Sequence, residues 1–120
     1  VPVEKFSVSY ERSGGLAATS QKVTIKPGRR GEASASTGHE TRAVRFRPSV
    51  LKVKQLRNGL SDSRFKLLES SPSGSCADCY VYSLHYREHS VSIAEPDVPV
   101  WLAKTIGRFE ALVETHLPFH

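Results

Sequence analysis

The segment Cys79-Tyr80-Val81-Tyr82-Ser83-Leu84-His85-Tyr86-Arg87-Glu88-His89-Ser90-Val91-Ser92-Ile93-Ala94 decides the fold. Tyr80, Tyr82, Leu84 and Tyr86 alternate with Val81, Ser83 and His85. A two-residue period places three aromatics and a leucine on one face of a strand. Arg87-Glu88-His89 is a short polar break, and Ser90-Val91-Ser92-Ile93 alternates again, so the second run folds back on the first as a hairpin. A hairpin with one apolar face needs a cover. The chain supplies one next: Val98, Leu102, Ile106, Phe109 and Val113 recur at helical spacing, and Trp101, Leu112 and Leu117 widen the stripe. Pro99 suits the first turn of that helix, and Pro118 ends it. Gly107 inside it suggests a close approach to the sheet.

The N-terminal part gives a second hairpin. Phe6, Val8 and Tyr10 alternate with Ser7 and Ser9; Arg12-Ser13-Gly14-Gly15 reads as a tight turn, and Leu16 to Lys26 as the return strand, ended by Pro27-Gly28. The stretch from Gly28 to Glu40 is rich in Gly, Ser, Ala and Thr and shows no period, which predicts a mobile loop. Thr41 to Phe46 alternates weakly, enough to begin a further strand. Beyond Pro48, the residues Val50, Val53, Leu56 and Leu60 fall at helical spacing, predicting a helix over 49–58 stopped by Asn58-Gly59; the same residues also read as a strand. Phe65, Leu67 and Leu68 pin the following connection to the core, and Ser70 to Ser75 is a second loop. The expected fold is α+β: a four-stranded antiparallel sheet of two hairpins, covered by a middle and a C-terminal helix in the order ββ-α-ββ-α. The expectation is one domain over 1–120, with a mobile basic loop at about 27–47.

A chain of 120 residues buries roughly two-thirds of its extended surface, enough for a core without staples. No apolar run approaches the ~20 residues of a membrane helix. The chain opens Val-Pro-Val-Glu and has no methionine, so a start has been removed or a domain excised; a cleaved signal peptide would fit. Net charge is +5, and its surplus is local: Lys22, Lys26, Arg29, Arg30, Arg42, Arg45, Arg47, Lys52, Lys54 and Arg57 face only Glu32 and Glu40 in that window. Arg29, Arg30, Arg42, Arg45 and Arg47 are candidates for steering an anionic partner; a solvated basic loop is the plainer reading. Only one aromatic, Phe46, lies among these cations, too few to serve as a row of stacking platforms, which argues against nucleic acid.

Catalytic constellations are weak, and the chain reads as a non-enzyme without a cofactor. Cys76-Ala77-Asp78-Cys79 is a Cys-x-x-Cys, but a strand follows it, so the helix dipole of a thioredoxin-like site is missing. Cys76 and Cys79 read as a local disulfide in an exported protein, or as reduced thiols in the cytoplasm. With His85 and His89 they form C-x2-C-x5-H-x3-H, zinc-ligand types at a spacing shorter than a finger needs. The carboxylates Glu11, Glu95, Asp97 and Glu110 show no paired arrangement.

The run Tyr10-Glu11-Arg12-Ser13-Gly14-Gly15-Leu16-Ala17 resembles the opening of emfourin-like proteins, small inhibitors of protealysin and related thermolysin-like metallopeptidases. Tyr80 to Tyr86, His89-Ser90-Val91 and Val98-Pro99-Val100-Trp101-Leu102 are similar to the later parts of the same pattern, so the resemblance covers about 5–26 and 64–114. It implies inhibition by occlusion: Arg12, Ser13, Gly14, Gly15 and Leu16 would enter the protease cleft, because glycines allow close backbone approach. It implies a thermolysin-like metallopeptidase as partner of a monomer, with the basic region steering association, in a secreted or cell-envelope setting and without membrane contact. The long basic segment over 27–47 and the Cys-x-x-Cys depart from that pattern.

Overall fold

A computed structural model describes residues 7–14, 19–37, 40–70 and 78–117. Among them are strands β1 (Val8–Gly14), β2 (Thr19–Lys26), β3 (Arg30–Ser36), β4 (Thr41–Phe46), β5 (Tyr80–Tyr86) and β6 (His89–Ala94). The helices are α1 (Val50–Leu60), α2 (Ser63–Leu67) and α3 (Val100–His116), with one 3-10 turn at Glu95–Asp97 before α3. The strands form one antiparallel sheet in the order β4-β3-β2-β1-β5-β6. The α+β class stands as expected.

Period-two patterning sorts the side chains. Val8 and Tyr10 of β1, Val23 and Ile25 of β2, and Tyr82, Leu84, Tyr86, Val91 and Ile93 of the β5–β6 hairpin are buried under the helices. Val53, Leu56 and Leu60 of α1, Phe65 of α2, and Leu102, Ile106, Phe109, Leu112 and Val113 of α3 complete the same core. Phe109 lies flat on Tyr10, ring centroids 5.0 Å apart and planes 4° from parallel, which couples the closing helix to the central strand. Among the described residues no helix covers the opposite sheet face, which mixes charged side chains such as Lys22, Lys26, Glu32 and Arg45 with small polar ones joined by cross-strand bonds such as Ser83 to Ser92 (2.9 Å) and Ser36 to Thr41 (2.6 Å).

Several expectations are corrected. The sheet has six strands, not four. The segment 27–47 is not a mobile loop: Pro27, Gly28 and Arg29 make a turn, and β3 and β4 extend the sheet beyond β2. Its apolar signal was hidden because the inward residues of β3 are Gly31, Ala33 and Ala35, all of them small. α3 packs over β2 and β3, where small side chains let a helix lie close. Phe46 of β4 then covers Gly31 directly; a β-carbon there would stand 2.8 Å from its ring.

The middle segment is helical, resolving its ambiguity. The Ser49 hydroxyl accepts from the Lys52 N–H at 3.2 Å and caps α1. Gly59 does not stop the helix, which runs on to Leu60. A β-carbon at Gly59 would collide with the Thr105 side chain, so this glycine lets α1 and α3 cross closely. Gly107 has nothing within 4 Å of such a carbon and serves no close approach to the sheet.

Candidate functional site

The resemblance points to the far end of β1, and the register shows what holds it. β1 is hydrogen-bonded on both sides, to β2 and to β5. Pairing continues to the last residue, with Gly14 opposite Thr19 on one side and Tyr80 on the other. Arg12, Ser13 and Gly14 are therefore strand residues rather than a tight turn, and the connection between β1 and β2 is 15–18. Gly15 and Leu16 lie outside the described residues. Gly14 has φ 96°, in the left-handed region, and a β-carbon there would stand 3.1 Å from the Cys79 carbonyl. Only glycine meets both demands without strain.

Arg12 is half-buried and points toward the helices. Its Nη1 donates to Glu110 Oε2 of α3 at 2.9 Å, and its guanidinium lies 4.2 Å from the centre of the Tyr80 ring. Gln21 stands opposite Arg12 in the register and is buried at 5% exposure. Among the described residues, the Gln21 Oε1, the Arg12 Nε and the Tyr10 hydroxyl have no hydrogen-bond partner. Burial, then the Glu110 carboxylate, push the Tyr10 phenol well above its usual range. The same two causes, in the same order, raise Tyr82 to about 12. Both phenols stay protonated, so the charge at this end of the core is carried by Arg12 and Glu110.

The expected basic site divides. Arg29 has φ 58° in the β2–β3 turn, and its Nη1 donates to the Pro48 carbonyl at 3.1 Å. The Arg30 Nε donates to the Pro27 carbonyl at 3.1 Å, and the Arg42 Nε to Glu40 Oε1 at 2.6 Å. Arg45 extends from the open face of β4, 3.7 Å from Glu32, and Arg47 is exposed just beyond β4. Strand geometry thus sets Arg45 and Arg42 on opposite faces. Arg29, Arg30, Arg45 and Arg47 line one shallow hollow, and Arg42 stands apart from them.

Cys79 is disulfide-bonded; Cys76 lies outside the described residues. His85 and His89 are separated by the sheet. His85 bonds Ser90 on the open face, whereas the His89 Nε2 bonds the Leu68 carbonyl at 3.1 Å and its ring meets Phe65 edge-on. Those two histidines cannot ligate one ion without breaking the strand pairing. Trp101 packs against the core with Arg64 stacked 4.7 Å from its ring centre, and belongs to the scaffold.

Sequence reasoning missed Glu110 and Gln21 as parts of this end. Glu110 lies beside the apolar stripe of α3 and reads as a solvated charge, because only the packing of α3 on the sheet brings it to Arg12. No family model and no curated protein matches the chain.

Proposed function

We propose that the chain is a proteinaceous inhibitor of thermolysin-like, protealysin-type metallopeptidases that occludes the active-site cleft with the connection after Gly14. The observation that carries this reading is the anchorage of that connection. It springs from a central strand paired on both sides, with Arg12 clamped between Glu110 and Tyr80. A connection whose two ends are fixed by strand pairing loses less entropy on binding than one with free ends. In this reading Arg12 holds the end of β1 to Glu110 and Tyr80, and Gly15 and Leu16 are the residues offered to the cleft. The reading is non-enzymatic, needs no cofactor and takes the protein as a monomer. The disulfide at Cys79 supports a secreted or cell-envelope setting.

The test is a titration of the purified protein against several thermolysin-like enzymes. Stoichiometric loss of peptidase activity is expected. Full activity in excess protein across all of them refutes the reading. Replacing Gly15 and Leu16 by Asp should weaken inhibition at least tenfold, with thermal stability close to that of the parent.

A further inference from the structure

The open face of β2, β3 and β4 carries a second feature, at the other end of the sheet from the Gly14 connection. Along β2, at strand rise, it runs from roughly 10 Å past Thr19, at Lys22, to roughly 24 Å, at Lys26. Lys22, Thr24 and Lys26 of β2, Ser34 of β3 and Arg45 of β4 line a shallow groove of about 700 Å³, to which Ser9 of β1 contributes. A hollow of about 450 Å³ shares Lys26 and Arg45 with it and adds Arg29, Arg30 and Arg47. Six cations, Lys22, Lys26, Arg29, Arg30, Arg45 and Arg47, thus line one continuous track. Two carboxylates oppose them on that face. Glu32 stands 3.8 Å from Lys26 and 3.7 Å from Arg45, both long contacts on exposed groups; Glu11 lies opposite Lys22 in the register. A surplus of positive charge remains, held by strands rather than by loops.

We propose that this track binds a linear sulfated polysaccharide. Neighbouring strands lie ~4.8 Å apart, so Lys26 on β2 and Arg45 on β4 rise from strands roughly 10 Å apart and lean toward Glu32 between them, while Lys22 continues the charge along β2. Beside Glu32 of β3 the floor is made of the Thr24 and Ser34 hydroxyls and Ala43, which leave room for a sugar ring and offer donors to sulfate oxygens. The same face argues against the other polyanions. Of the residues lining the groove and the hollow, Phe46 alone is aromatic, and its ring is occupied over Gly31 and against His116, so nucleic-acid bases have no row of stacking platforms. An acidic peptide adding as a strand would pair with the free edge of β4, two strands away from Lys22 and Lys26.

The test uses the whole chain and heparin, with binding measured over about 50 to 300 mM salt. Micromolar or tighter binding at the low end is expected, falling steeply with salt. The double variant Lys26→Gln/Arg45→Gln should lose at least tenfold in affinity, and its log–log salt slope should fall by about 1.5, from two fewer displaced counterions. Lys104→Gln/Arg108→Gln removes the same charge from exposed positions of α3, on the helix side, and should cost less than threefold. Equal losses in the two variants would show that net charge alone acts and overturn the proposal. So would absence of heparin binding by the parent protein. Binding to single-stranded DNA or polyglutamate as tight as to heparin at the same salt would also overturn it, in favour of those partners. Melting curves of both variants, expected to match the parent, separate these outcomes from misfolding.

Discussion

Arg12 shows how one side chain joins the end of a strand to the helix above it, and its energetics follow from its exposure. The ion pair with Glu110 has side-chain exposures of 16% and 34%, between a surface pair and a buried one. Arg12→Ala should cost about 1–2 kcal/mol of stability, since it also removes the stack on Tyr80. A double-mutant cycle with Glu110→Gln, read by urea denaturation, should give a coupling of about 0.5–1 kcal/mol. His116 gives a pH dependence at the same scale. Its ring stacks on Phe46, centroids 4.2 Å apart. Burial first, then Lys52, lower its pKa from 6.5, and together they outweigh the helix C-terminus, which favours the cation. A lowered folded-state pKa means the unfolded chain takes up the proton first. The stability due to His116 is therefore complete above pH 6.5 and is lost as the pH falls through its folded value. Melting temperatures measured from pH 7.5 downward should show this loss, and His116→Phe, which keeps a ring on Phe46 but cannot titrate, should flatten the profile in that window.

The elements carry a paired prediction in their two helical glycines. Gly59 of α1 faces Thr105 of α3 without room for a methyl group, whereas Gly107 opens onto solvent. Gly59→Ala should destabilise by about 1–3 kcal/mol through overpacking. Gly107→Ala should stabilise by about 0.8–1 kcal/mol through helix propensity. Denaturation midpoints of the two variants should move in opposite directions; a shift of the same sign in both would contradict the packing described. Sequence reasoning placed these roles the wrong way round, because a glycine's neighbours across an interface leave no trace in its own segment. Strand β3 was missed for a related reason. Its inward Gly31, Ala33 and Ala35 alternate correctly with Arg30, Glu32 and Ser34, but carry too little apolar bulk to register as a core face.

At the scale of the whole molecule, the strand order ranks local stability. β1 sits inside the sheet with Tyr10 wholly buried, while β4 has one unpaired edge and mostly exposed side chains. The other edge strand, β6, is partly covered, since its Ser92 N–H donates to the Ser70 hydroxyl at 3.1 Å. Amide hydrogen exchange should therefore be slowest in β1 and β5 and fastest among the strands in β4. Equal protection in β4 and β1 would contradict the assigned order. The layered form, 44 × 34 × 20 Å, leaves one broad sheet face uncovered and keeps the Gly14 connection and the basic track at separate ends of it.

The sequence by itself determined the pieces whose patterning is strong. Tyr80, Tyr82, Leu84 and Tyr86 alternate so clearly that the β5–β6 hairpin, its inward face and its turn at Arg87-Glu88 follow from periodicity, and the stripe from Val98 to Val113 makes α3 its cover. The α+β class follows from these together with the alternation of the first hairpin. Tertiary structure decided what depends on neighbours distant in the chain: β3 as sheet rather than loop and the pairing of β4, whose weak alternation the sequence shows, onto it; the meeting of Arg12 with Glu110 across 98 positions; and the gathering of Lys22, Lys26 and Arg45 on one face. The physical reason is that periodicity reports which side of an element avoids water, a local property. Which elements become neighbours is set by how helices and strands fill the space between them, and that is decided only when the whole chain packs.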